Sequence, residues 1–194
     1  MRKAKITRQT LETNIVLQLN LDGTGKTEVD TGVGFLDHML TLVAKHGFFD
    51  LVLKAQGDLN VDSHHTVEDC GLAFGQALRQ ALGDKAGIHR YGMAVIPMDE
   101  ALINVTLDLS NRPFLNFAAQ IPKVQLGNME AEMVEEFFRA VAVESGMTLH
   151  IVEQFGNNVH HIVEGMFKAF ARALSEAVAL DPRVKGVMSS KGKL

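Results

Sequence analysis

The sequence predicts an α+β fold built by internal duplication of a β-β-α-β-α half, with two sheets each covered by helices on one face and the helix layers packed together. Two observations carry this. A His-His-x-x-Glu motif occurs twice, as His64-His65-Thr66-Val67-Glu68 and as His160-His161-Ile162-Val163-Glu164, and the residues that follow are also repeated. Ala73, Phe74, Ala77, Leu78 and Ala81 recur as Ala169, Phe170, Ala173, Leu174 and Ala177. Around each motif the same order of alternating and helix-period segments returns.

Residues 2 to 9 and 13 to 21 alternate as strands, and Asp22-Gly23-Thr24-Gly25 turns the chain into a loop ending near Thr31-Gly32. A helix over 34 to 46 is stopped by Gly47, and a strand over 48 to 56 leads to the first motif helix. The second half gives strands over 91 to 97 and 101 to 109 and an extended stretch after Pro113. A helix over 129 to 145, ended by Gly146, a strand over 147 to 154 and the second motif helix complete it. The motif helices carry apolar stripes, Val67-Gly71-Phe74-Leu78 and Val163-Phe167-Phe170-Leu174, for the core. No Pro- or Ser-rich linker intervenes, so residues 1–86 and 87–194 read as repeat halves of one compact domain, with the seam near Gly83 to Gly87.

A chain of 194 residues, 46% hydrophobic and 22% charged, has ample material for a packed core and lies outside the disordered and fibrous classes. The N-terminal residues lack an apolar signal region and no stretch is long enough to span a bilayer, which predicts a cytoplasmic protein that does not engage membranes. The net charge of −4, with no basic run interleaved with aromatics, gives no support to nucleic-acid binding. The single cysteine, Cys70, cannot form an internal disulfide and reads as a small core residue of its helix.

Each motif sits at a helix start. At about 100° per residue the first His and the Glu four positions on share a face, while the second His points well away. One helix can therefore serve two neighbouring metals. If a pseudo-twofold relates the halves, His64 and Glu68 meet His161 at one metal, and His160 and Glu164 meet His65 at the other. Mixed imidazole and carboxylate ligands suit a divalent transition metal, with manganese, iron and zinc all open. Neither helix capping nor core packing requires this pattern twice.

Other residues extend the site. His38 lies on the earlier helix and the repeat sets Glu136 opposite it, so both are candidates to complete a metal's ligand shell. His150 competes for the place of Glu136, whereas His46 and His89 have position alone in their favour. Arg90, Arg112, Lys168 and Lys191, the last within Ser189-Ser190-Lys191-Gly192, supply cations and hydroxyls of the kind that bind phosphate. Glu12 is an acid beside the first strand with no evident helix or turn duty.

Taken in order, Arg8-x-Thr10-x-Glu12-Thr13, Phe35-Leu36-Asp37-His38-Met39, Asp62-x-His64-His65-x-x-Glu68-Asp69, Arg90-Tyr91-Gly92, Asp108-Leu109-Ser110-x-Arg112-Pro113, Gly156-Asn157-x-x-His160-His161-x-x-Glu164 and Ser189-Ser190-Lys191-Gly192 resemble the imidazoleglycerol-phosphate dehydratases over essentially the whole chain. The resemblance implies a hydro-lyase of histidine biosynthesis that converts D-erythro-imidazole-glycerol phosphate to imidazole-acetol phosphate. It also implies a dimanganese site and a homo-oligomer of 24 subunits with active sites shared between neighbours. In one respect the chain departs from the pattern, since the family often has His at the place of Glu136.

The chemistry this implies is demanding, because an unactivated C–H proton must be lost and a hydroxide expelled. Cations on the imidazole nitrogens would stabilise an imidazolate able to push out the hydroxyl, giving a diazafulvene-like intermediate and then an enol that ketonises. Glu12 is the acid-base implied by the resemblance. Glu68 and Glu164 are counted with it as catalytic, though metal binding leaves them less free to carry protons. Arg90, Arg112, Lys168, Ser189, Ser190 and Lys191, with Glu12, hold the substrate. A dinuclear metallohydrolase of phosphoesters would use similar residues, and a metal-storage protein would need no phosphate site.

Overall fold

The computed structural model describes residues 2–194. Strands β1 (Lys3–Gln9), β2 (Thr13–Asn20), β3 (Thr27–Asp30) and β4 (Asp50–Gly57) form one sheet in the order β1-β2-β4-β3, with helix α1 (Gly34–Gly47) before β4 and α2 (His64–Leu82) after it. The second half repeats the plan. Strands β5 (Tyr91–Met98), β6 (Ala101–Asp108), β7 (Phe114–Ala118) and β10 (Thr148–Phe155) form a sheet in the order β5-β6-β10-β7, flanked by α3 (Met133–Ser145) and α4 (Val159–Val178). In both sheets the first three strands in spatial order are antiparallel and the last is parallel to its neighbour.

Alternation decides which face each strand buries. On β2, Thr13, Ile15, Leu17 and Leu19 turn inward, as do Ala101, Ile103, Val105 and Leu107 on β6. Each large aliphatic side chain so buried contributes about 1.5–3 kcal/mol. Helix α2 lies on β1 and β2 and packs against α3, while α4 lies on β5 and β6 and packs against α1. The helix layers of the two halves therefore meet through a Phe cluster of Phe74, Phe137, Phe138, Phe167 and Phe170. At Gly71 of α2 an added Cβ would stand 2.7 Å from the carbonyl oxygen of Phe137. The close approach of α2 and α3 thus requires glycine there.

Three details differ from the sequence expectation. Residues Thr27–Asp30 form strand β3, not loop; only Val29 is apolar there, so the alternation that marks a strand is missing, and pairing with β4 holds the segment. The third helix starts at Met133, because Met129–Glu130 forms β9 of a small hairpin with β8 (Gln125–Leu126), turned at Gly127 with φ 64°. Gly47 is the last residue of α1, and Phe48, left-handed at φ 58°, ends the helix. Gly47 serves packing instead, since a Cβ there would lie 2.3 Å from the Phe49 ring.

The hairpin ties down the two helix starts of the first half. The Asn128 side chain accepts from the Gly34 N–H and donates to the Gly32 carbonyl, and the Ser63 hydroxyl donates to Glu130. No helix among the described residues is long and apolar enough to cross a membrane.

Candidate active site

Asn158 begins the second motif helix. Its side-chain oxygen accepts from the backbone N–H of His160 at 3.0 Å and of His161 at 3.5 Å. His160 and Glu164 then fall one turn apart on one face, with His160 Nε2 3.1 Å from Glu164 Oε2. His38, carried in by α1, brings its own Nε2 to 3.3 Å from the same oxygen. These three side chains offer ligand atoms that all lie within 4.8 Å of one another. Lys168, one turn further along α4, stands 2.5 Å from Glu164 Oε1. Burial acts to raise the Glu164 pKa, but the hydrogen bonds from Lys168 and His38 overcome it and hold the carboxyl at about 2. It is therefore an anion at neutral pH, and two imidazoles with one carboxylate form a donor set that fits a divalent transition metal.

The first motif is looser. His64 Nε2 is 3.6 Å from Glu68 Oε2, on the shared face that the i,i+4 spacing demands. Glu136 is half-exposed on α3 and turned toward Arg139, 3.5 Å away. Among the described residues it is not gathered with His64 and Glu68 as His38 is with His160 and Glu164. His150 lies exposed on β10 between the buried Leu149 and Ile151. It therefore occupies the sheet face turned away from the helices, beside Phe114.

The second histidine of each motif diverges to the flank of its helix. His65 Nδ1 lies 3.0 Å from Asp58 and 3.8 Å from Glu12. His161 Nδ1 lies 2.7 Å from Glu100, with Asp99 3.7 Å from its Nε2. Both imidazole pKa values are raised, chiefly by the hydrogen bonds to Asp58 and Glu100. Within one chain the crossed sets are consequently not assembled: His65 does not join His160 and Glu164, nor does His161 join His64 and Glu68. The divergence along each helix turns these rings toward a loop and strand end of their own half. Asp58 and Glu100 escaped the sequence reading. A signal for Glu100 existed, since Glu12 and Glu100 each stand immediately before the second strand of their half.

The predicted anion-binding residues come together, with one exception. A cavity of about 520 Å³ is lined by Arg90, Ser110, Arg112, Ser189, Ser190 and Lys191 among others. Arg90 is buried and left-handed at φ 74°, and its guanidinium binds Asp108 through Nε at 2.6 Å and Nη2 at 2.9 Å and donates to the Met188 carbonyl at 2.7 Å. Most of its donors are thus committed to holding the cavity wall, leaving Arg112, Lys191 and the two serines as the freer groups. Lys168 is the exception, standing at Glu164 instead. His89 faces Asp181 at 3.7 Å, and His46, its pKa lowered by burial and by the nearby Lys168, lies at the end of α1.

Residues 31–174 match the sequence profile of a family described as imidazoleglycerol-phosphate dehydratase. An imidazoleglycerol-phosphate dehydratase from Acetivibrio thermocellus is 59% identical over 193 residues, covering 100% of this chain and 99% of that one. The chain belongs to the imidazoleglycerol-phosphate dehydratase family. A second such dehydratase, from Lachnoclostridium phytofermentans, is 60% identical over 191 residues, 98% of this chain and 97% of the relative. The crystal structure of the Staphylococcus aureus imidazoleglycerol-phosphate dehydratase superposes with a TM-score of 0.84 at 41% identity, over 92% of this chain and 99% of that one. The Pyrococcus furiosus enzyme gives the same TM-score at 37% identity, over 97% and 100%. As a member of the imidazoleglycerol-phosphate dehydratase family the chain is a hydro-lyase, and the duplicated α+β fold read from its sequence is the fold it has.

Proposed function

We propose that this enzyme carries out the metal-dependent dehydration of D-erythro-imidazole-glycerol phosphate to imidazole-acetol phosphate in histidine biosynthesis. It uses two manganese ions per subunit and works as a homo-oligomer, of 24 subunits by analogy with the family, in which neighbours complete one another's active sites. His38, His160 and Glu164 with a neighbour's copy of His65 would hold one ion. His64, Glu68 and Glu136 with a neighbour's copy of His161 would hold the other. When bound, the metals supply Lewis acidity toward the imidazole nitrogens of the substrate.

The observation that carries the sharing is the placement of the two sites along α4. The His38, His160 and Glu164 cluster lies at the N-terminal end of that helix, whereas the backbone N–H of Arg90, on the wall of the anion cavity, bonds to Ala177 at the other end. At 1.5 Å per residue the two ends stand roughly 25 Å apart. A substrate whose imidazole and phosphate are joined by a short glycerol chain cannot reach both in one subunit, which favours a cavity of one copy facing a metal cluster of another.

The remaining work falls to side chains. Arg112, Lys191, Ser189 and Ser190 bind the phosphate dianion, with Arg90 fixing the wall they stand on. Glu12, exposed beside β2 and bound only loosely to His65, accepts the C–H proton once the hydroxyl has left as hydroxide, and it returns that proton to carbon as the enol becomes a ketone, the enol O–H proton passing to the hydroxide to give water. The test is to incubate the manganese-loaded oligomer with the substrate. Imidazole-acetol phosphate should form, and chelation should abolish it, whereas release of inorganic phosphate would point to a hydrolase and sink the reading.

A further inference from the structure

The two second histidines share a feature that the first histidines lack: each Nδ1 is held by a carboxylate of its own half. An ionised carboxylate only accepts hydrogen bonds, so in each neutral ring the proton sits on Nδ1 and the lone pair on Nε2, which at His161 stands 3.7 Å from the exposed Asp99 carboxylate. Among the described residues, the hydrogen bonds of His38, His64 and His160 include no carboxylate at Nδ1; the ring contacts of His38 and His160 run through Nε2 to Glu164.

The two anchors are built differently. Glu100 divides its oxygens: Oε1 accepts the backbone N–H of Asn157 at 3.2 Å and of Asn158 at 2.7 Å, and Oε2 takes His161 Nδ1 at 2.7 Å. Asp58 directs both oxygens at His65 Nδ1, at 3.0 and 3.2 Å. Glu12, which holds the place of Glu100 in the first half, stands off at 3.8 Å. Duplication has thus left one glutamate tied to an imidazole and its counterpart free, with Asp58 as the first half's anchor.

We propose that Glu100 and Asp58 are positioning residues that lock His161 and His65 in the Nδ1–H tautomer and aim their Nε2 atoms at metals assembled with neighbouring copies. This rests on the metal-dependent, shared-site reading above and deepens it. Metal-ligating histidines commonly depend on such a partner at the other ring nitrogen, and losing it weakens metal binding about 10–100-fold.

The unequal anchoring makes the test selective. In Glu100→Gln the amide oxygen must stay on the Asn157 and Asn158 N–H groups, which need an acceptor, so the amide NH2 faces His161 Nδ1 and donates to it. The ring is forced into the Nε2–H tautomer, which has no lone pair at Nε2 to give a metal there, while the helix start keeps its bonds. In Asp58→Asn the side chain can turn its oxygen to His65 and keep the original tautomer. Manganese titration of the intact oligomers, with metal per chain measured after gel filtration, should show one of two sites weakened by about 10–100-fold in Glu100→Gln. Thermal stability should stay near wild type, and Asp58→Asn should change metal affinity much less, whereas Asp58→Leu should weaken the other site. Two wild-type affinities in Glu100→Gln would overturn the proposal, as would equal losses in Glu100→Gln and Asp58→Asn. A wild-type protein that binds no metal would instead defeat the metal-dependent reading itself.

Discussion

The rings of Phe74 and Phe170 lie 6.4 Å apart between centroids, inclined at 59°, at the centre of the helix layer. They are the same residue of the repeat, one in each half, so their contact marks the pseudo-twofold that exchanges α1 with α3 and α2 with α4. Helix pairing follows that axis, with α2 meeting α3 and α4 meeting α1.

Because both rings are buried on the axis, truncating either opens a cavity of similar kind. Phe74→Ala and Phe170→Ala should each lower stability by about 3–5 kcal/mol, read by chemical denaturation. Phe170, which also packs on Phe138, should be the costlier of the two. A loss under about 1 kcal/mol in either would mean that the seam is not a packed core.

Glu12 should be separable from the fold. The turn around it is held by Thr10, whose hydroxyl accepts the backbone N–H of Glu12 at 3.1 Å and of Thr13 at 2.9 Å, and by the Thr13 hydroxyl donating to the buried Asp69 at 2.5 Å. Glu12→Gln should therefore leave the melting temperature unchanged and reduce kcat by about 10²–10⁴-fold. An unimpaired kcat would remove Glu12 from proton transfer.

Sharing of sites can be read by complementation. Glu164→Gln disables a metal cluster and Arg112→Ala an anion cavity, and each oligomer alone should be nearly inactive. Mixed oligomers, verified by native mass spectrometry, should regain activity above the sum of the parents, because some pairs of neighbours then carry both intact parts. Mixed assemblies as inactive as the parents would place the whole site within one chain.

Asp50 links stability to acid. Backbone N–H groups of Thr24 and Lys26, with the Asn20 amide, lower its pKa to about 2 from an ordinary aspartate value of about 3.9. The folded state thus favours the anion. Its contribution is complete above about pH 4 and is lost as pH falls through about 2. Asp50 is partly solvated, which holds the contribution to about 1 kcal/mol. Asp50→Asn should lower the melting temperature at pH 7, and the difference from wild type should shrink as pH drops from 4 to 2. A constant difference would refute the linkage.

The sequence by itself determined the duplication, the order of the main strands and helices, and the placement of both His-His-x-x-Glu motifs at helix starts. These are local matters: strand alternation, the helical repeat and the i,i+4 relation of His160 to Glu164 act over one or two turns of chain. Even the grouping of Arg112, Ser189, Ser190 and Lys191 was legible as a shared charge preference, though not as a cavity. Tertiary structure alone decided that Thr27–Asp30 becomes a strand, because its ladder bonds come from β4, and that Met129–Glu130 leaves the helix for a hairpin. It alone brought His38 to the oxygen of Glu164, turned Glu136 toward Arg139, and gave His65 and His161 to Asp58 and Glu100. Each of these pairings depends on how helices and strand ends are laid side by side, and residue type and spacing carry no record of a partner that packing brings in from elsewhere in the chain.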